Sequence, residues 1–303
     1  PVFWIYLIRN SSYKNNLKKF FLSHIPLGIF LIIWSEVFLL QSRGSSSYLE
    51  IFPSWGNLLG RADIKQLLLL GVKFIIGRIS FEPKTLYAVV TIITALPFGY
   101  LIFKSFNKLS KFRLIWMWFI IPPLLAFLGS LIIPGFAYFR LIFILPAFYI
   151  ILSVGLEEVK FKNFFFVLIV GLNIIFSFIF IVNQKFWRED WRGAVNFIED
   201  RIKLEEFVLT PFPEPFAPVR WYSKNNLTEG VPDIFSGDFN KIHDNVTNSV
   251  SNYQGVYYFE YLSEITDPTG IVKSTIESGG FSLIGSFDFR GVGIVDYWVR
   301  DGL

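Results

Sequence analysis

FKNFFFVLIVGLNIIFSFIFIVNQKFWREDWRGAVNFIE, residues 161–199, decides the fold. No charge falls between Lys162 and Val182, so about 20 apolar residues run without interruption, the length a helix needs to cross a bilayer. The run closes on Trp187, Arg188, Trp191 and Arg192. Amphipathic rings and long cations collect where lipid meets water, because each has an apolar body and a polar tip. Beyond that seam, Trp191, Ala194, Val195, Ile198 and Ile202 share one helical face. The spacing therefore predicts an amphipathic helix opening a different kind of structure.

The rest of the chain divides at the same seam. Of 303 residues, 53% are hydrophobic, 19% aromatic and only 17% charged, against roughly a quarter charged in globular domains. Residues 1–182 hold 17 Lys and Arg against 6 Asp and Glu, while residues 183–303 hold 11 against 18. The excess of cations thus flanks apolar spans, and no nucleic-acid footprint is needed to explain it. The chain contains no Cys, which excludes disulfides and thiolate metal sites. It starts at Pro1, and Val2 to Ile8 resembles the last turns of a span, so we expect a C-terminal part of a longer protein.

Five spans are predicted at about 25–40, 86–103, 114–133, 141–156 and 164–182, with a polar loop after the first of them at Gln41–Ser47. Pro97, Pro122, Pro123 and Pro146 are expected to kink them. Residues 48–79 read as interfacial or re-entrant helices, because 66–79 is short and carries Lys73 and Arg78. If 66–79 does not cross, the compact basic loops at 9–19, 104–113 and 160–162 all lie on one side, which the positive-inside rule makes cytoplasmic. The expected location is the plasma (inner) membrane, with the C-terminal domain extracytoplasmic. The fold class is therefore a polytopic α-helical membrane module, 1–182, followed by a soluble α/β domain, 183–303.

In that domain, Phe207–Thr210 and Gly255–Glu260 read as buried strands and Pro215–Tyr222 as a helix. Phe281, Leu283, Phe287 and Phe289 alternate with polar residues, and Val292, Ile294 and Trp298 continue the pattern. That predicts a hairpin with one buried face.

Few residues carry chemistry. His24 and His243 fall on opposite sides of the predicted membrane and cannot share a metal or a triad. Arg140, in PGFAYFRLIFILP, sits where a loop enters a span, just after Tyr138. Its planar fork matches phosphate oxygens, and it equally suits a structural cation snorkelling to the interface. Glu36 lies near the end of its span, as an intramembrane carboxylate or, if the span ends early, an interfacial one. Arg61, Asp63 and Lys65 form a charged loop that either faces an anionic substrate or is simply solvated.

Three stretches together resemble the C-terminal half of bacterial GT-C superfamily membrane glycosyltransferases, of the dolichyl-phosphate-mannose-protein mannosyltransferase (family 39) type. They are Trp34–Gln41 with its following loop, Tyr138–Arg140 through Leu145-Pro146 to Gly155-Leu156, and Asp190–Ala194 with the terminal hairpin. The match departs from the family at Leu141, where Tyr is usual, and at Glu36, where Pro often stands. The resemblance implies transfer of a sugar from a polyprenyl-phosphate donor to a glycan, lipid or protein acceptor on the extracytoplasmic face. It implies that the catalytic carboxylate lies in an N-terminal loop this chain lacks, and that Arg140 contacts the lipid phosphate with Tyr138 supporting it; Glu36 and Arg61, from their positions above, are further substrate-binding candidates. No metal ligand is assigned, and a divalent cation is the one cofactor left open. The alternative is a non-catalytic transporter or lipid-handling scaffold whose external domain binds a partner.

Overall fold

A computed structural model describes residues 17–51, 54–60, 62–225 and 228–302. The chain separates into two compact units, residues 1–47 with 56–186, and residues 48–55 with 187–303.

The first unit is helical. Helix α1 (Leu17–Ile51) carries an apolar window over Phe21–Gln41 that is exposed throughout. Short α2 (Trp55–Leu59) and α3 (Ile64–Ile76) follow. Then come α4 (Lys84–Ser105), α5 (Arg113–Gly129), a 3₁₀ segment (Tyr138–Ile144), α6 (Leu145–Glu157) and α7 (Lys162–Val182). Among the described residues four stretches are long and apolar enough to cross a membrane: Phe21–Gln41, Lys84–Lys108, Tyr138–Glu157 and Lys162–Val182. Helix α3 has 13 residues. At 1.5 Å per residue it is about 20 Å long, short of the ~30 Å hydrocarbon core.

Two sequence expectations need correcting, and a third gains detail. The predicted polar loop Gln41–Ser47 continues α1 instead, since each added helical residue gains a hydrogen bond and Ser costs little in propensity. The predicted span 114–133 stops as a helix at Gly129, and Ser130–Ile133 form turns before Pro134. A proline disfavours helical backbone in the residue ahead of it. The predicted span 141–156 is helical throughout but changes type at Leu145, with Pro146 in the first turn of α6, where its missing N–H costs no bond.

The core of this unit joins Leu70 and Phe74 of α3, Phe98 and Leu101 of α4, and Ile144, Phe148 and Leu152 from the 3₁₀ segment and α6. Phe148 stacks on Phe98 at 6.1 Å and on Phe119 at 6.0 Å. Gly155 sets the approach of α4 and α6, because a Cβ there would lie 2.0 Å from the Leu101 carbonyl oxygen. Small residues permit such contact between membrane helices, where packing rather than hydrophobicity drives association.

The second unit is a mixed five-stranded sheet with helices on both faces. Its strands are β1 (Glu206–Thr210), β2 (Thr228–Gly230), β3 (Gly255–Phe259), β4 (Phe281–Phe289) and β5 (Gly293–Arg300). They are ordered β2-β1-β3-β5-β4, with the first three parallel and the last two antiparallel to their neighbours. Helices α8 (Trp191–Glu199) and α9 (Ala217–Tyr222) cover one face, burying Trp191, Ala194, Val195, Ile198 and Val219 against Val208, Tyr257 and Phe259. Helices α10 (Phe239–Val250) and α12 (Ile271–Ser278) cover the other, over Phe207, Leu209, Val256 and Tyr258, with the single-turn α11 (Ser263–Thr266) ahead of α12.

Strands near 207–210 and 255–260, a helix near 215–222, and the amphipathic face of α8 all appear where the sequence places them. The hairpin differs from the expectation of one buried face. A bulge between Leu283 and Gly285 inserts one residue into β4. Side chains alternate faces with period two, so the insertion sends Phe281 into the α10/α12 core and Phe289 onto the α8 side, and leaves Leu283 44% exposed.

Candidate functional site

Arg140 sits in the first turn of the 3₁₀ segment, on the exposed side of the helical unit. Its Nη1 donates to the carbonyl of Gly135 at 2.8 Å and to that of Leu59 at 3.1 Å. The Gly60 carbonyl accepts from the N–H groups of Gly135 and Phe136, at 2.8 and 3.0 Å. Two loops distant in sequence are thus stitched together, with the guanidinium at the crossing. Gly60 is required there: its φ is +96°, and a Cβ would lie 2.3 Å from the Phe136 carbonyl oxygen.

The two carbonyls engage Nη1 alone. Nε and Nη2 have no hydrogen-bond or ion-pair partner among the described residues, and the guanidinium carbon lies 5.6 Å from the Phe139 ring centre. This leaves one edge of a rigidly held fork available, and that edge matches two oxygens of a phosphate or carboxylate. Tyr138 is half-buried, packs against the helical core and meets Phe139 edge-on. It braces the segment that carries Arg140.

An apolar cavity of about 520 Å³ opens among α3, α4, α5 and α6, lined by Leu68, Gly71, Gly99, Ile120, Ile144 and Phe148 among others. Ile144 is four residues from Arg140 along the 3₁₀ segment, about 8 Å at 2 Å per residue. The 3₁₀ segment thus carries both the guanidinium's residue and, about one turn on, a residue lining the apolar cavity.

The other predicted site residues do not join this cluster. Glu36 is exposed on α1, with no hydrogen bond or ion pair to any described residue. Arg61 lies outside the described residues, two positions from the Leu59 carbonyl that Arg140 holds. Asp63 accepts from the Lys65 N–H at 2.9 Å as the N-cap of α3, a structural use of one of the loop charges. Among the described residues no group of three or more acidic or histidine side chains could hold a metal ion. Sequence reasoning found Arg140 but missed the Leu59, Gly60 and Gly135 carbonyls, which no side-chain pattern advertises.

The second unit holds its own polar centre. Lys273 of α12 donates to Glu260 at 2.5 Å and to Asp296 of β5 at 2.7 Å, and Ser286 of β4 also donates to Asp296. Asp296 is fully buried. Burial alone would raise its pKa, but the hydrogen bonds from Lys273 and Ser286 outweigh it and hold the carboxyl below the usual range. Burial likewise works to lower Lys273, and its bonds to Asp296 and Glu260 reverse the sign. Asp267 caps α12, accepting from the N–H groups of Ile271 at 2.8 Å and Val272 at 3.0 Å. This cluster ties β4, β5 and the loop leaving β3 to one helix and is built as structural glue.

No protein family model, no curated protein and no solved structure matches this chain.

Proposed function

We propose that this chain is part of a membrane glycosyltransferase that uses a polyprenyl-phosphate sugar donor. One observation carries the reading: Arg140 is pinned through Nη1, keeps its other edge open, and shares its 3₁₀ segment with Ile144, which lines an apolar cavity. A polyprenyl phosphate has the matching halves, an anion joined to a long hydrocarbon. In such a transfer, negative charge grows on the phosphate as it leaves the sugar, and a preorganised cation stabilises that charge most where water is scarce. Arg140 supplies this electrostatic role, and Tyr138 positions its backbone. The carboxylate that accepts the proton of an incoming hydroxyl is assigned to no residue of this chain.

The test uses the protein in lipid nanodiscs with a fluorescent polyprenyl phosphate and the corresponding neutral polyprenol. Arg140→Gln removes the charge while keeping a donor for one carbonyl. It should weaken binding of the phosphate at least tenfold and leave the polyprenol unaffected. Equal loss for both lipids would reduce Arg140 to a loop clamp, and unchanged phosphate binding would remove it from the site.

A further inference from the structure

The carboxyl edge of the parallel strands in the second unit is the other place built to receive a ligand. From β1 the chain passes to α9 on one face of the sheet, and from β3 it passes to α12 on the opposite face. Strand order β2-β1-β3 therefore leaves a crevice where these loops part, between the ends of β1 and β3. Open parallel sheets bind ligands at this switch point, because no connection covers it.

The β1 loop determines which ligand fits. It reads Pro211-Phe-Pro-Glu-Pro-Phe-Ala-Pro218, with proline at four of eight positions. A phosphate cradle is made of backbone N–H groups, and proline has none, so the loop is unsuited to nucleotides. What it presents is rings. Phe212 and Phe216 stack at 4.7 Å, and Tyr261, from the loop after β3, lies 5.1 Å from Phe216 and 6.2 Å from Phe212. Trp191 lies beneath them, 4.8 Å from Tyr261 and 5.2 Å from Phe216. Phe212, Phe216 and Tyr261 are only half-buried, and Phe212 also meets Phe235 edge-on at 6.1 Å.

The flank of the crevice is acidic. Burial first, and then the charge of Glu189, raises the pKa of the Tyr261 phenol, which places that carboxylate within electrostatic reach of the rings. Glu214, exposed, lies within the β1 loop between Phe212 and Phe216, whereas Glu260 is taken up by Lys273. Among the described residues the two non-glycine positions with left-handed backbone are Asp233 and Leu262, at φ of 57° and 54°. They occupy the loops leaving β2 and β3. Strain of this kind collects where loops are shaped for binding.

We propose that this crevice binds a neutral carbohydrate, with a pyranose ring laid against the open faces of Tyr261 and Phe212. One face of a pyranose is a layer of C–H groups with slight positive charge, complementary to the negative face of an aromatic ring. Its hydroxyls suit a carboxylate rim that repels phosphates and acidic sugars. The inference stands apart from the transfer reading, since it concerns binding by the second unit and needs no lipid donor.

Saturation-transfer NMR on the whole chain in nanodiscs tests it. The probes are methyl α-mannopyranoside, methyl β-glucopyranoside, methyl β-galactopyranoside and chitobiose, with adenosine monophosphate as the anionic control. Transfer to the ring C–H protons of at least one sugar is expected, and none to the nucleotide. Phe212→Leu and Tyr261→Leu keep apolar bulk but remove the ring; each should weaken sugar binding at least tenfold with the circular dichroism spectrum unchanged. Tyr261→Phe should retain binding. Silence from all four sugars, binding undiminished in both leucine variants, or preference for the nucleotide would each overturn the proposal.

Discussion

Lys273 shows how much a single residue can hold. It bridges Glu260 and the fully buried Asp296, so Lys273→Met leaves a carboxylate without its cation in the interior. Breaking a buried pair costs about 3–5 kcal/mol; Lys273 is 42% exposed, and solvent screening reduces the expectation to about 1–3 kcal/mol. Urea unfolding followed through Trp298 measures it, and a midpoint equal to wild type would mean the bridge is idle. The same unit predicts a loss of stability at high pH. Burial and then Glu206 raise Tyr257 to about 12, Tyr297 is raised for the same reasons, and Lys273 is also raised. Above about pH 10 the unfolded chain releases these protons while the folded chain keeps them, so stability falls as pH rises from there through about 12. Asp296 acts at the other end. Its depressed pKa contributes stability at neutral pH that is lost as pH falls below the ordinary carboxylate range. Thermal unfolding at pH 7, 10 and 11.5 should show the alkaline decline, and a flat profile would contradict it.

Helices and strands depend on small details of contact and register. Gly155 lets α6 lie against the Leu101 carbonyl, so Gly155→Leu must push α4 and α6 apart. Overpacking of this kind costs about 1–3 kcal/mol. The chain has no cysteine, so a pair of cysteines placed on α4 and α6 can report the separation, and efficient cross-linking in the leucine variant would refute it. In β4, deleting Ile284 should remove the bulge and return Phe281 to the face of Phe289. Losing one buried Phe costs about 3 kcal/mol or more. Native-like urea resistance of the deletion would show that the bulge does not set the register. These elements also mark how far the sequence could be followed. The last span, the α8 face and the strands at 207–210 and 255–260 were legible because their periods are long or their apolar runs unbroken. The bulge was not, since a one-residue insertion leaves the alternation visible on both sides of it. At the candidate site Arg140 was legible as a cation beside a span; the carbonyls that aim it come from loops about 80 positions apart in the chain, and no local pattern predicts such a meeting.

At the scale of the whole molecule, orientation in the bilayer follows from cations. Lys104, Lys108, Lys111 and Arg113 lie at or between the ends of α4 and α5, and Lys160 and Lys162 precede α7. The positive-inside rule predicts one cytoplasmic side for all of them, which requires the 17-residue α5 to cross as well. A single cysteine at the exposed position Asn107 should be protected from an impermeant thiol reagent in intact cells and labelled after permeabilisation. Labelling before permeabilisation would invert the topology. The order of the sheet carries a consequence for biosynthesis. Strand β5, residues 293–300, lies between β3 and β4, so an internal strand is the last of the five to be made. Until it arrives, β3 is an open edge and the ion cluster lacks Asp296. The second unit therefore stays unfinished until residue 300 has been made, and a product truncated before Gly293 should fall readily to proteases.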